Sequence, residues 1–550
     1  RGNKLAAPSE WLALADRFYD ASLAGAGPPG IPLLWGTDAV HGHSNIPGAT
    51  VFPHNVGLGA AHDPELIRRV GEITALEVRV TGLDWTFAPT VAVARDARWG
   101  RTYESYSEDP ELVRQYAAAM VTGLQGAAGS AHFLDGAHVL ATPKHFLGDG
   151  GTGGRDQGDN LVSERELRDV DAAGYRAAIA AGAQTIMASY SSWHGLKMHG
   201  NHELLTAVLK NRFGFDGLLL GDWDAHAQLP GCTPASCPAA VNAGIDVLMS
   251  SRSWHELFEN TLRQAQAGDI SAARLGDAVR RVLRVKLRAH HDSEGRPSSR
   301  PFAGRFDLLG SPEHRAVARR AVRESLVLLK NRNHLLPLSP RARVLVAGDA
   351  ADSLARQSGG WTIDWQGTFP NAAFPHGETV YAAIEHCVSA AGGVARLSPT
   401  GEFESRPDVA VVVFGEHPYA ETAGDVPTLE YSPGDKHDLA LLRRLRAQKV
   451  PVVAVFISGR PLWVNAELNA ADSFVAAWLP GLEGGGIADV LFRAPDGKVR
   501  EDFRGRLSFS WPASPHPPAV DGRPGEPPLF PRGFGLTYRD AGDLRQLPDD

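Results

Sequence analysis

Asp222, Trp223 and Asp224 follow directly on the apolar stretch "FDGLLLG". A strand that runs from buried apolar residues into two carboxylates poses a physical question, because a buried carboxylate is costly unless it is paired or used in chemistry. The same arrangement recurs along the first half of the chain. Asp38 follows "LLWGT", Arg98 and Arg101 follow "VAVARDA", Lys144 and His145 follow "VLATP", and Tyr190 follows "TIMAS". Any one of these would serve as a hydrogen-bond partner in a scaffold. Five strand ends carrying carboxylates, arginines, a lysine–histidine pair and aromatic rings instead suit a neutral polyhydroxyl ligand. Sugars require dense hydrogen bonding and an aromatic face to stack on.

Those residues need elements that bring them to one mouth. "IPLLWGTDAV", "LDWTFAPTVAVA", "AHVLATPKHF", "AQTIMASYSS", "FDGLLLGDWD" and "AGIDVLMSS" read as buried strands, and amphipathic segments alternate with them. The intervening helices have start signals: Asp63 and Asp109 each precede a proline suited to the first helical position, and Ser163…Glu166 and Ser253…Glu256 have capping-box spacing. Repeated strand–helix units with apolar strands predict a parallel sheet covered by helices, and a single long run of them predicts a (β/α)8 barrel over residues 1–290. Ligands then bind at the carboxyl ends of the strands, where the charged residues lie. A breaker-rich linker spans 291–312. A second α/β domain follows over 313–540, with strands "RVLVAGDA", "DVAVVVFGEH", "VPVVAVFISG" and "SFVAAWLPG", and a tail over 541–550. The Pro-rich "SWPASPHPPAVDGRPGEPPLFPRGFG" carries spaced aromatics and reads as a wrapping loop on this second domain.

Composition narrows the classes. The 550 residues are 43% hydrophobic and 21% charged, which excludes disordered and fibrous chains. A net charge of −8 without any long Lys/Arg run gives no field for nucleic acid. No apolar run reaches the length of a membrane span. The opening "RGNKLAAPSEW" is neither a signal peptide nor an initiator methionine and reads as a mature or trimmed product. Of three cysteines, Cys232 and Cys237 are close enough to bridge within a loop or to stand as two reduced thiols; their spacing alone does not make a zinc site. A bridge would favour a periplasmic or secreted location.

The strings "GTDAVHGHSNIPGATVFPHNVGLGA", "DARWGRTYESYSEDP", "KHFLGDGGT", "GDWDA", "GEHPYAETAGD" and "AAWLPGLEGGGIADVLF" resemble glycoside hydrolase family 3, its β-glucosidase and exo-1,3/1,4-β-glucanase branch, in the family's order and over nearly the whole chain. The resemblance implies an α/β fold: a (β/α)8 TIM-type barrel, its first strand missing from this chain, followed by an α/β sandwich. It implies Asp222 as nucleophile, with Trp223 lining the entrance and Asp224 in a supporting or solvated role. Asp38, Arg101, Lys144, His145 and Tyr190 match the inner-subsite sugar contacts, with Met187 as an apolar neighbour. Trp365 matches the tryptophan facing Trp223, and Glu421 matches the acid/base. A further sugar contact of the family is not matched, and Asp156 or Asp159 stands in its place. No cofactor and no metal is implied. The expected activity is release of glucose from the non-reducing ends of β-glucosides or β-glucan oligosaccharides by double displacement through a glycosyl-aspartate. A β-xylosidase is the alternative within the family, and Asp38 favours glucosides.

Such chemistry needs one ionised carboxylate to attack the anomeric carbon and one protonated carboxyl to serve the leaving oxygen, roughly 5–5.5 Å apart. Arg101 and Lys144 are expected to hold Asp222 ionised, and burial to raise Glu421. Glu416 and Glu483 are rival acids. Outside the family, His41 and His43 with Lys144, His145 and Asp222 sketch a metal-dependent amidohydrolase, and a retired site would make a non-catalytic carbohydrate-binding protein.

Overall fold

The computed structural model describes residues 5–25, 30–520 and 523–549. Capping side chains set the helix starts. The Asp63 carboxylate accepts from the backbone of Glu65 and Leu66 at the head of Pro64–Val80, and Asp109 accepts from Glu111 at the head of Pro110–Gln125. Ser163 accepts from Glu166 as its spacing predicts. Ser253 differs: it precedes Trp254–Ala267 without a side-chain cap, because its backbone (φ −88°, ψ 20°) is not extended as a capping residue requires.

Each of the six predicted strands of the first domain joins one parallel ladder. Gly36–Thr37 pairs with Trp85–Thr86, Trp85 bridges Leu140, and Phe146 bridges Ala188. Thr185–Met187 pairs with Leu218–Leu220, and Leu220 bridges Val247. Trp85, Leu140, Met187, Leu218 and Leu220 fill the interior, while a second cluster containing Leu66, Val70, Tyr116, Ile186 and Leu219 packs strands against helices. This is a barrel-type domain with the carboxyl ends of its strands gathered at one mouth.

Residues 289–311 lie along the opposite end. Arg79, Asp84, Glu294 and Arg300 form a buried charge network there, with Arg79 Nη2 to Glu294 Oε1 at 2.7 Å. Pro312–Ser325 then packs on Asn55–Ala61 and Pro64–Val80 on one side and on Gly485–Leu491 on the other.

The second domain holds a six-stranded sheet in the order 394–397, 343–347, 409–415, 452–457, 473–478, 327–331, parallel except for the last pair. Its runs of Val, Ala and Phe are buried throughout, as a sheet covered on both faces demands. The order of strand addition reverses between the parallel neighbours Arg343–Ala347 and Val409–Gly415, the place where loops of an open α/β sheet splay to form a crevice. The loops leaving the carboxyl ends of these two strands carry Trp361, Trp365 and Glu421 to the barrel. The Pro-rich stretch wraps this domain as expected: Trp511 is buried 6.0 Å from Trp478, and Phe530 stacks on Phe534. It also reaches the barrel through Ser510 and Glu108.

Candidate active site

Asp222 ends its strand with a side chain that is 13% exposed. Its backbone N–H donates to His199 Nε2 at 2.9 Å, and Oδ1 accepts from the Trp223 N–H at 2.7 Å. His199 can accept because burial lowers its pKa to about 4, leaving a neutral ring whose Nδ1 faces the Ser189 carbonyl. Asp222 Oδ2 lies 3.7 Å from His145 Nε2. The opposite nitrogen, His145 Nδ1, sits 2.7 Å from Asp149. Burial would push Asp149 up, but His145 and Arg101 hold it below the usual range.

Arg101 is the hub of the mouth. Its guanidinium donates to both oxygens of Glu104, at 2.8 and 2.9 Å, to Glu421 Oε1 at 3.2 Å, and lies 3.3 Å from His145 Nε2. Burial alone would raise Glu104, yet the paired guanidinium outweighs it and keeps the carboxylate ionised. Glu421 shows the opposite balance. Burial raises its pKa, Arg101 opposes, and Glu104, Asp156 and Asp222 add to the rise. One carboxyl of the mouth is thus biased toward its protonated form, as a proton donor requires.

Lys144 Nζ donates to Asp38 Oδ1 at 2.9 Å rather than reaching Asp222. Arg101 likewise pairs with Glu104 and Glu421, and the side chain that faces the Asp222 carboxylate is His145. Met187 is buried in the barrel interior, 2% exposed. The Tyr190 hydroxyl donates to the Trp223 carbonyl. Trp223 and Trp365 remain exposed, at 49% and 39%, unlike the buried rings of the cores. Asp224, in the left-handed region at φ +53°, accepts from the Ser251 N–H and ties the strand-end loop down, which makes it supporting.

Asp156 lies beside the Glu421 loop, accepting from Trp99 Nε1 at 3.3 Å and from Thr422 Oγ1 at 3.0 Å. Asp159 accepts from the Gly195 N–H. Of the rival acids, Glu416 accepts from Arg460, the Gly459 N–H and Tyr419, and Glu483 pairs with Arg315 on the interdomain helix. Both have structural duties.

His41 and His43 diverge. His41 meets Phe52 O and Thr362 Oγ1 and stacks on His54, whereas His43 meets Thr81. Burial lowers their pKa values to about 4 and about 3, and neither turns to Asp222. Among the described residues, two other groupings have ligand atoms within 4.8 Å of one another: Asp84, His291 and Glu294, and Asp349, His437 and Asp438. The first is already paired with Arg79 and Arg300; in the second Asp349 pairs with Arg356 and Asp438 accepts from the Tyr431 hydroxyl, and neither includes a mouth residue.

Sequence reading missed Glu104, Asp149, His199 and Trp361. Glu104 stands three residues after Arg101 and Asp149 four after His145, spacings that favour local pairing. Trp361 donates to Glu104 and lies under Lys144, with Nζ 5.6 Å from the ring centroid. His199 comes from a separate turn and has no local signal. Cys232 and Cys237, whose spacing allows either a bridge or two free thiols, are bridged.

Comparison with known proteins agrees with this architecture. The family model described as the glycosyl hydrolase family 3 N terminal domain matches residues 7–285, and that of the family's C-terminal domain matches residues 326–538. A lysosomal beta glucosidase of Dictyostelium discoideum is 31% identical over 96% of this chain and 67% of its own length. A periplasmic beta-glucosidase of Salmonella typhimurium is 30% identical over 92% of this chain and 71% of its own. The structure of the exo-1,3/1,4-beta-glucanase of a Pseudoalteromonas species superimposes with a TM-score of 0.97 at 51% identity, covering all of this chain and 69% of that one. Two domains, one shared mouth and matches to both family models across most of its length place this chain in glycosyl hydrolase family 3.

Proposed function

We propose that this chain is an exo-acting β-glucosidase or exo-β-glucanase that retains anomeric configuration, with Asp222 as nucleophile and Glu421 as acid/base. The observation that carries the reading is the meeting of the two domains: Glu421, half-buried and raised in pKa, reaches the barrel at Arg101, whose other arm adjoins the His145 that faces Asp222. Asp222 attacks the anomeric carbon while Glu421 gives its proton to the leaving oxygen; Glu421 then takes a proton from the water that releases the sugar. Asp38, Lys144, Arg101 and His145 supply donors and acceptors for the glucosyl hydroxyls, and Met187 and Tyr190 lie beside them. Trp223 and Trp365 offer exposed rings to the next sugar outward. The Asp38–Lys144 pair supports glucosides over xylosides, because a carboxylate and an ammonium together suit one more hydroxyl than a xylosyl unit carries.

A periplasmic or secreted location is favoured by the Cys232–Cys237 bridge and by the periplasmic relative. No helix among the described residues is long and apolar enough to cross a membrane.

The test is a side-by-side assay of aryl β-glucoside, β-xyloside and N-acetylglucosaminide, with early NMR spectra of the released sugar. Preference for the glucoside and β-glucose as first product are expected. Initial release of the α anomer would overturn the retaining mechanism.

A further inference from the structure

Glu421 opens the short 3₁₀ turn Glu421–Gly424, in the left-handed region at φ +57°. A non-glycine residue keeps that backbone only when its surroundings fix it. The fixing groups come largely from the barrel. The Val426 N–H donates to Arg98 O at 3.0 Å. The buried Arg460 guanidinium donates to Gly424 O at 2.6 Å on one side and to Ala97 O at 3.0 Å on the other.

Asp425 makes the most selective of these contacts. Its Oδ1 accepts from the Gly100 N–H at 2.7 Å and its Oδ2 from the Asp156 N–H at 2.8 Å. Both donors are backbone groups of the barrel, from two different loops. Gly100 directly precedes Arg101, which holds Glu421, and Asp156 accepts from Thr422, next to Glu421. A single carboxylate therefore registers the acid-bearing turn against both sides of the mouth. The approach is close: a Cβ on Gly100 would lie 2.1 Å from the Glu421 carbonyl oxygen and 2.7 Å from the Asp425 nitrogen. Two N–H donors also require two acceptor oxygens, so an amide in place of the carboxylate would set its NH2 against one of them.

We propose that Asp425 is a positioning residue that clamps the acid-bearing turn of the second domain onto the barrel, so that proton delivery to the leaving oxygen depends on its carboxylate. This rests on the reading of Glu421 as acid/base. Asp425 touches no reacting atom. Without it the turn keeps the contacts of Arg460, Val426 and Thr422 but loses the two backbone hydrogen bonds that set its register to the Gly100 and Asp156 loops. Misplacement of a catalytic group by about 1 Å costs on the order of 100-fold.

The test compares the full-length wild type with Asp425→Ala, Asp425→Asn and Glu421→Ala on laminaribiose, p-nitrophenyl β-glucoside and 2,4-dinitrophenyl β-glucoside, with melting temperatures recorded alongside. Asp425→Ala is expected to lose about 10- to 100-fold in kcat/KM, which reports formation of the glycosyl-enzyme, on laminaribiose and no more than about threefold in kcat/KM on the dinitrophenyl substrate, whose leaving group needs little protonation in that step. Asp425→Asn, which keeps the volume, is expected to show the same leaving-group dependence and stands in if the alanine variant fails to fold. If Glu421→Ala shows leaving-group dependence while both Asp425 variants lose equally on all substrates, or lose nothing, the clamp is overturned and the acid assignment survives. If Glu421→Ala itself loses equally on all three, the acid assignment falls and the clamp falls with it.

Discussion

Arg101 Nη1 lies 3.2 Å from Glu421 Oε1, joining a barrel strand end to a loop of the second domain 320 residues later. The contact has two consequences. It places the raised carboxyl at the mouth that Asp222 faces, and it sets how far that carboxyl is raised, because Arg101 divides its charge between Glu421 and Glu104.

Glu104→Gln removes one of the groups that raise Glu421 and leaves the guanidinium to act on Glu421 more strongly. The pKa of Glu421 then falls. Since the acid must be protonated to act, the alkaline limb of the kcat/KM profile is expected to move to lower pH. Stability should drop by up to about 3 kcal/mol, as Arg101 loses a buried partner but keeps Glu421. A pH profile with an unmoved alkaline limb would break the link between Arg101 and the acid.

Asp222→Ala should reduce turnover by several orders of magnitude while leaving the fold intact. The carboxylate accepts from the Trp223 N–H next to it in the chain, a local bond whose loss leaves the barrel core untouched. Circular dichroism with kinetic assay checks both halves. A variant retaining a tenth of wild-type turnover would remove Asp222 from the nucleophile's role.

Trp365→Ala should weaken laminaribiose and cellobiose use more than aryl-glucoside use if its exposed ring stacks on the outer sugar, as proposed above. Stacking on comparable aromatic platforms is worth roughly 1–3 kcal/mol. Equal losses in kcat/KM on both substrate types would make Trp365 a support for its own loop.

Gly100→Ala should damage catalysis without unfolding either domain. The added Cβ meets the Glu421 carbonyl at 2.1 Å and must push the acid-bearing turn away from the barrel. A loss of about 100-fold on a disaccharide is expected. Kinetics beside a melting curve would show it; near-normal turnover would mean that the turn tolerates displacement.

Stability should fall as pH drops from about 6.5 toward 4. His41, His43 and His199 are buried neutral, with pKa values lowered to about 4, about 3 and about 4. The unfolded chain protonates first, so their contribution is full above about pH 6.5 and is lost as pH falls through the folded-state values. Asp171, raised to about 7 by burial, works in the opposite direction, stabilising as pH falls from 7 toward 4. His54 is lowered in the same sense as these imidazoles, and Asp171 is the carboxyl whose rise reaches neutrality, so a net loss is expected. Calorimetry at pH 7.5, 6, 5 and 4.5 tests the sign.

Most of the strands and the candidate nucleophile were legible in the amino-acid sequence. Apolar runs such as "LLLG" can only be buried, and a carboxylate at the end of such a run must be paired or used, so Asp222 stood out locally. Asp63 and Asp109 likewise announced their helices, because capping is an interaction between residues two or three apart. The six positions of the barrel ladder and four strands of the second sheet were readable for the same reason, whereas Val327–Asn331, which continues directly from a helical pattern, and the half-exposed edge strand Val394–Leu397 were not. What the tertiary structure decided were relations between residues far apart in the chain. Asp222 faces His145 rather than Arg101 or Lys144, because Arg101 is held by Glu104 and Glu421, and Lys144 by Asp38. Glu416 and Glu483, equal to Glu421 as letters, are taken by Arg460 and Arg315. His199 touches the Asp222 backbone across 23 residues without any pattern to reveal it. Burial and charge pairing set a carboxyl's protonation, and both are sums over neighbours that only the folded chain brings together.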